Sequence, residues 1–145
     1  MKIYIDADGC PVVHLTVKIA KQFNIPCTIV CDTSHQFEPD FEVITVSKGN
    51  DSADFHIVNL VKPGDIVVTQ DYGLAAICLA KLAFAINQNG LIYSADNIDA
   101  LLNSRAESAK YRRAGGRTKG PKRRTPSDNT AFENSLVKLI KELQL

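Results

Sequence analysis

Five aspartates occupy positions where their side chains could act together. Asp6 ends the first apolar run, Asp8 follows it, Asp71 ends a later run of β-branched residues, and Asp51 and Asp54 begin a helix-like segment. Clustered carboxylates repel one another, and a hard divalent cation relieves that repulsion. Because ligation by carboxylate oxygens alone selects Mg²⁺ or Mn²⁺ over zinc, we predict a Mg²⁺ or Mn²⁺ site at these five residues.

Four of these aspartates also have a purely structural interpretation. Asp8 could form a turn with the glycine after it, Asp51 or Asp71 could cap a helix, and Asp54 could interact favourably with a helix dipole. Asp54, however, shares a helix face with the apolar residues that follow it, beginning with Ile57. A carboxylate on an apolar face is costly unless it is paired or bound to a metal, which favours the metal interpretation.

The elements that must position these residues alternate between strand and helix. The patterns predict strands at 2–6, 26–32, 42–49 and 65–71, a fifth strand, an Asn-Gly turn and a short sixth strand within 84–94, and helices after Pro11 and at 50–62, 73–83, 97–113 and 129–144. Such alternation predicts a single α/β domain over 1–145 with three layers, α/β/α, and a mainly parallel central sheet. In these sheets the functional site lies beyond the carboxyl ends of the strands, which is where the five aspartates fall.

Charge is distributed unevenly along the 145 residues. Residues 1–104 hold 6 Lys and Arg against 12 Asp and Glu, whereas residues 105–124 hold 9 basic residues and 1 acidic residue. Residues 114–128 are rich in Gly, Pro, Lys and Arg and predict an exposed basic loop, which could be merely solvated. Arginine forks among glycines suit phosphate, so the alternative is a nucleic-acid contact formed by Arg112, Arg113, Arg117, Lys119, Lys122, Arg123 and Arg124.

Composition limits the class of protein and its location. The chain contains 45% hydrophobic and 23% charged residues, close to the globular average. Trp is absent, which argues against a platform for stacking single-stranded bases. There is no apolar stretch of membrane-spanning length, Asp6 interrupts the segment where a signal peptide would lie, and the four cysteines fit a reducing compartment. We expect a cytoplasmic protein that does not bind membranes.

Several motifs together resemble the YaiI/YqxD family of uncharacterised bacterial proteins, which in turn resemble PIN-like nucleases. The matching segments are IDADGCP (5–11), NDSADFHIV (50–58), GDIVVTQDYGLA (64–75), NQNGLIYSADNI (87–98), RRAGGRTKGP (112–121) and SDNTAF (127–132). Two segments depart from the family pattern. Tyr72-Gly73 stands where the family usually has Ile-Pro, and residues 117–121 replace a Thr-Gly-Gly-Pro-like run.

The PIN-like resemblance implies a metal-dependent ribonuclease, with Asp6, Asp54 and Asp71 as catalytic and metal-binding residues and Asp8 and Asp51 as accessory ligands. RNA is then the expected partner and metal-activated water the expected nucleophile. One alternative is a non-catalytic module of the same fold that binds RNA or protein.

A second alternative is a phosphatase of the haloacid-dehalogenase type. The string DADGC (6–10) resembles that family's DxDGT motif, in which the first Asp, here Asp6, is the nucleophile. Two features differ from that family. Cys10 replaces the usual Thr. The pair Gly64-Asp65 stands before a strand, whereas that family has its Gly-Asp pair at the end of a later strand.

Overall fold

A computed structural model describes residues 1–32, 42–46, 52–118 and 123–145. Its strands are β1 (Ile3–Asp6), β2 (Cys27–Asp32), β3 (Val43–Val46), β4 (Ile66–Val68) and β5 (Phe84–Ile86). Its helices are α1 (Val13–Gln22), α2 (Ser52–Leu60), α3 (Tyr72–Ala80), α4 (Ala95–Arg113) and α5 (Pro126–Leu143).

The five strands form one sheet in the order β3-β2-β1-β4-β5, and every neighbouring pair is parallel. Ile3 of β1 lies opposite Cys27 of β2 on one side and Ile66 of β4 on the other. The chain moves outward from β1 to β3, then crosses back to β4, so the direction of winding reverses between β1 and β4. Ligands in open α/β sheets bind at the carboxyl ends of the strands beside such a reversal.

Helices cover both faces of the sheet, which confirms the three-layer α/β/α prediction. Ile3 and Ile5 of β1 pack in a cluster with Phe132 and the other apolar residues of α1 and α5. Tyr4, between them, faces a second cluster that includes Ile57 and the apolar residues of α2, α3 and α4. Burial on both faces explains why β4, Ile66–Val68, is a continuous β-branched run rather than an alternating pattern.

The C-terminal helix begins at Pro126, earlier than the predicted start at 129, so the predicted loop over 114–128 is shorter at its C-terminal end. The backbone N–H of Thr125 donates to Asp128 Oδ2 at 2.9 Å, which is one half of a capping box. Pro126 occupies the first helical position, where its missing N–H costs nothing. The capping residues thus start the helix before its stripe of buried apolar residues, which are Phe132, Leu136, Leu139 and Ile140.

Other predicted boundaries moved by a few residues. The predicted sixth strand is a single antiparallel bridge between Ile86 and Ile92. Helix α4 begins at Ala95 instead of 97, because the Ser94 N–H donates to Asn97 Oδ1 at 2.9 Å and caps the earlier start. Within the described ranges, no helix is long and apolar enough to cross a membrane.

Candidate functional site

A chain of hydrogen bonds joins Asp6 to Asp71 across the ends of β1 and β4. The Thr69 hydroxyl donates to Asp6 Oδ2 at 2.8 Å, and the backbone N–H of Asp71 donates to Thr69 Oγ1 at 3.0 Å. Thr69 is buried, and its carbonyl accepts a hydrogen bond from the buried Tyr93 hydroxyl at 3.1 Å. The two carboxylates therefore lie at the same edge of the sheet, as the parallel pairing of β1 and β4 predicts.

Asp71 also has the structural role that its position before a helix suggests. Its Oδ1 accepts hydrogen bonds from the N–H groups of Gly73 at 2.8 Å and Leu74 at 3.1 Å, so Asp71 is the N-cap of α3. A Cβ at Gly73 would lie 3.2 Å from the same oxygen. The cap fixes the direction in which the Asp71 carboxylate points.

Helix α2 brings a third carboxylate to this point. Asp54 is half-buried. Partial burial acts to raise the pKa of Asp71, but hydrogen bonding with the Asp54 side chain, the N–H groups of Leu74 and Gly73 and the positive charge of Arg105 together hold the pKa below its usual value. Asp54 therefore lies beside Asp71.

The surroundings of Asp6 raise the pKa of its carboxyl group instead of lowering it. Burial raises the pKa of its carboxyl group to about 6, the Thr69 hydrogen bond opposes the rise, and the negative charges of Asp71 and Asp8 add to it. Asp8 is exposed on the loop after β1, where its Oδ1 accepts from the Asp32 N–H at 3.2 Å. Asp51, the fifth predicted ligand, lies outside the described residues.

The donor set at this edge fits Mg²⁺ or Mn²⁺ better than a softer metal. In the described part of the chain, no three Asp, Glu, His or Cys side chains form a group that could hold a metal ion. Mg²⁺ is commonly held by one or two carboxylates and keeps several waters, so it does not need a cage of three. Asp54 and Asp71, in contact, are two such carboxylates, and Asp6 lies on the same edge.

A groove leads away from the carboxylates between α3 and α4. Its volume is about 350 Å³, and its lining includes Tyr72, which follows Asp71, together with Ser104, Arg105 and Arg112. Arg105 and Arg112 lie two turns apart on α4 and both line the groove. It therefore connects the acidic edge with the start of the basic segment.

The predicted phosphate contacts fall into separate groups. Arg112 and Arg113 are exposed in the last turn of α4, and Arg117 is exposed just beyond it. The Arg112 guanidinium donates to the Thr118 hydroxyl at 3.0 Å. Lys119 and Lys122 lie outside the described residues.

Arg123 is exposed, but Arg124 is not part of an exposed loop. Its guanidinium donates to Asn129 Oδ1 at 2.9 Å, Asn89 Oδ1 at 2.7 Å and the Gln88 carbonyl at 2.8 Å. Three amide oxygens converge on its planar fork, so the Arg124 side chain is held by the protein. Arg124 instead joins the start of α5 to the loop after β5.

Sequence reasoning missed three residues of this edge: Asp32, Thr69 and Arg105. Asp32 ends β2 as Asp6 ends β1, so the rule that selected Asp6 would also have selected Asp32. Thr69 would have been found by asking which polar side chain directly follows the β-branched run 66–68. No feature of the sequence pointed to Arg105, because hydrophobic periodicity does not show which face of α4 packs against α3.

These features define a class: a parallel, three-layer α/β protein with carboxylates gathered where the winding of its sheet reverses. A profile of the family described as "Uncharacterized BCR, YaiI/YqxD family" matches residues 4–142, and the chain belongs to that family.

Its relatives are bacterial proteins named UPF0178 protein. The relative from Exiguobacterium sibiricum is 52% identical over 98% of both chains. That from Ruminiclostridium cellulolyticum is 50% identical over 97% of this chain and 93% of its own. That from Enterococcus faecalis is 43% identical over 97% of this chain and 98% of its own. No solved structure matched significantly.

Proposed function

We propose that this protein is a Mg²⁺- or Mn²⁺-dependent phosphodiesterase that cleaves RNA. The observation that carries the proposal is the hydrogen-bonded chain from Asp6 through Thr69 to Asp71, which holds two carboxylates at one edge of the sheet, with Asp54 beside Asp71. Burial and the negative charges of Asp71 and Asp8 raise the pKa of Asp6 to about 6. Gathered carboxylates with a raised pKa are expected of a site that binds positive charge.

Asp54 and Asp71 would hold the ion, with Asp8 and Asp51 as accessory ligands. When bound, the metal would lower the pKa of a water molecule and neutralise charge on the phosphoryl group. Asp6 would orient the attacking water and accept its proton. Since Thr69 already occupies Oδ2 of Asp6, that proton would go to Oδ1. A group with a pKa near neutrality is suited to such a transfer.

The groove between α3 and α4 supports a polyanionic substrate. Arg105 and Arg112 line it, and Arg113, Arg117, Lys119, Lys122 and Arg123 would contribute further phosphate contacts. RNA is the proposed polymer because the acidic pattern resembles that of PIN-like ribonucleases. Arg124 would act by positioning the loop after β5.

The proposal is tested by incubating the purified protein with labelled single-stranded RNA and Mn²⁺, and with EDTA in a parallel series. Asp6→Asn and Asp71→Asn are expected to lower the cleavage rate by at least about a hundredfold. Asp99→Asn, an exposed aspartate on α4, is the matched control and should stay within about twofold of the wild type.

Three results would contradict the proposal. They are cleavage that survives both Asp6→Asn and Asp71→Asn, cleavage in EDTA, and hydrolysis of phosphomonoesters through an acyl-phosphate on Asp6 without cleavage of RNA. RNA binding without any cleavage would instead favour the non-catalytic module.

A further inference from the structure

A second cavity opens on the same edge of the sheet, on the side of β5. Its volume is about 620 Å³, within the range of small-molecule sites. The loops after β1, β4 and β5 and the start of α5 form its walls, with Gly9, Gln70, Gln88, Asn89 and Arg123 among the lining residues.

Hydrogen bonds hold the walls of this cavity in place. Gln70 Nε2 donates to the Gly9 carbonyl at 3.0 Å and ties the loop after β4 to the loop after β1. The three bonds of Arg124 tie the start of α5 to Gln88 and Asn89. Hence the loops that form the walls are held in place without an occupant.

Gln88 provides a specific reason to expect a ligand. Its side-chain Oε1 is buried, and no donor in the described part of the chain reaches it. Buried acceptors in folded proteins are almost always satisfied, and rotation of the Gln88 amide towards the cavity would offer this oxygen to the N–H or O–H of a ligand. The amides of Gln70 and Asn89 add both donors and acceptors to the same lining.

The charges around the cavity favour an anion. Arg124 donates these three hydrogen bonds to neutral amide oxygens, which do not cancel its charge. Arg123 adds a second cation at the exposed rim, and Asp128, which caps α5, supplies a carboxylate. A ligand that carries both hydrogen-bond donors and a negative charge matches this combination.

The cavity also adjoins the candidate metal site. Gly9 follows Asp8 directly, and Gln70 precedes Asp71 directly. A molecule in the cavity would therefore lie beside the carboxylates without being held by them.

We propose that this cavity binds one nucleotide unit of the RNA, next to the phosphodiester that is cleaved. The Gln88 amide turns into the cavity, where its Oε1 accepts a hydrogen bond from the base or ribose, and Arg123 and Arg124 attract the phosphate. The assignment rests on the proposed function for its ligand class. It names Gln88 as a residue that determines which nucleotide is bound.

Binding is measured in EDTA, where no metal-dependent cleavage occurs. The four ribonucleoside 5′-monophosphates and inorganic phosphate are titrated by calorimetry at low salt, and a short RNA oligonucleotide is titrated in parallel. Gln88→Met removes the amide but keeps the carbonyl that holds Arg124, so the loop should remain folded. Gln144→Met, an exposed glutamine at the far end of α5, is the matched control.

At least one nucleotide should bind more tightly than inorganic phosphate. Gln88→Met should weaken that nucleotide and the oligonucleotide by about tenfold or more, and Gln144→Met should change neither. Arg123→Gln should weaken the nucleotide but not the corresponding nucleoside. The assignment is overturned if no nucleotide binds, if phosphate binds equally well, or if Gln88→Met behaves as the wild type with either ligand.

The binding and cleavage experiments distinguish a wrong cavity assignment from a wrong proposed reaction. Gln88-dependent binding by a protein that cleaves no RNA would refute the reaction and leave the cavity assignment standing. Cleavage of RNA by a protein that binds no nucleotide in this way would refute the cavity assignment alone.

Discussion

Asp6 and Asp65 lie at opposite ends of two neighbouring strands, and their carboxyl groups have different hydrogen-bond partners and charged neighbours. Asp65 is buried at the amino edge of the sheet, where its two oxygens accept from the backbone N–H groups of Lys2 at 3.0 Å and Lys62 at 2.9 Å. Asp6, at the carboxyl edge, has the Thr69 hydroxyl and faces the charges of Asp8 and Asp71. Asp65 thus has structural partners for both oxygens, whereas the surroundings of Asp6 oppose its charge.

Asp6→Asn is expected to stabilise the metal-free protein at neutral pH. The pKa of Asp6 in the folded state is about 6, above its ordinary value of 3.8, so the folded state binds the proton more tightly than the unfolded state. The free energy of unfolding of the wild type therefore falls as pH rises through 4 to 6, and the loss is complete above 6. The Asn variant lacks this loss and should be more stable at pH 7.5 by about 1–3 kcal/mol.

Urea denaturation in EDTA from pH 4 to 7.5 measures this difference. The curves of free energy against pH should converge near pH 4 and separate as pH rises. Parallel curves, or an Asn variant less stable than the wild type at every pH, would make Asp6 a purely structural residue.

Asp71 is expected to respond differently to two substitutions, because it both caps α3 and carries charge. Asp71→Asn keeps an oxygen for the Gly73 and Leu74 N–H groups and should change stability little. Asp71→Ala loses the cap and should lower the free energy of unfolding by about 0.5–2 kcal/mol. Thermal melts in EDTA and with Mn²⁺ compare the two variants. Only the wild type should be stabilised by Mn²⁺, and equal stabilisation of Asp71→Asn would contradict a role in metal binding.

At the scale of elements, the loop after β5 is built around a close approach to α5. A Cβ at Gly90 would lie 2.7 Å from the Ala131 carbonyl oxygen, and the Gly90 φ of +90° is one that side chains rarely adopt. The Ser135 hydroxyl donates to the Gly90 carbonyl at 2.6 Å. This contact and the bonds of Arg124 hold the wall of the larger cavity.

Gly90→Ala should therefore destabilise the protein more than a glycine substitution that introduces backbone strain without a steric clash. Gly64 is the matched control, since its φ is +87° but a Cβ there would meet nothing within 4 Å. Gly64→Ala should cost about 1 kcal/mol, and Gly90→Ala should cost a further 1–3 kcal/mol, roughly, through overpacking. Chemical denaturation of both variants makes the comparison. Equal losses would mean that α5 moves away from the loop at no cost.

Element types were predictable where local chemistry decides them. The β-branched run over 65–71 predicted a buried parallel strand, because both faces of such strands pack against helices. The start of α5 was misplaced because the apolar stripe begins only at Phe132, whereas the Thr125–Asp128 cap determines the first turn. The parallel sheet then implied that Asp6 and Asp71 share an edge.

The contacts that depend on how helices dock were not predictable in the same way. The hydrogen bonds of Arg124 join residues 35 and 36 positions away, at Asn89 and Gln88. No local pattern distinguishes that arginine from its exposed neighbour Arg123. The influence of Arg105 on Asp71 likewise depends on how α4 packs against α3.

Over the whole molecule, opposite charges are separated along one surface path. The carboxylates occupy the carboxyl edge of the sheet, and the groove between α3 and α4 runs from that edge towards Arg112. RNA held along this path through its phosphates releases condensed counterions, so its affinity must fall as salt rises.

Replacing Arg112, Arg113 and Arg117 together by Gln should flatten the salt dependence of RNA binding. The slope of log K against log[salt] is about −0.7 per phosphate contact for a single strand, so three lost contacts change it by about 2. All RNA sequences should weaken alike, because phosphate contacts do not read bases. Titrations over a salt series with Asp6→Asn as the background measure binding without cleavage.

The matched control removes three exposed lysines from the opposite layer, Lys18 of α1 and Lys138 and Lys141 of α5, and changes net charge equally. Its slope should stay close to that of the unsubstituted background. An unchanged slope in the arginine variant, or equal changes in both, would assign the three arginines to solvent rather than to phosphates.

The central claim, a metal site formed by carboxylates at the reversal of the sheet, is tested most directly with crystals soaked in Mn²⁺. The account predicts an anomalous peak within bonding distance of the Asp54 and Asp71 carboxylates and next to Asp6, and no such peak in crystals of Asp71→Asn. Well-diffracting wild-type crystals without a peak at this edge, or with the peak elsewhere, would contradict it.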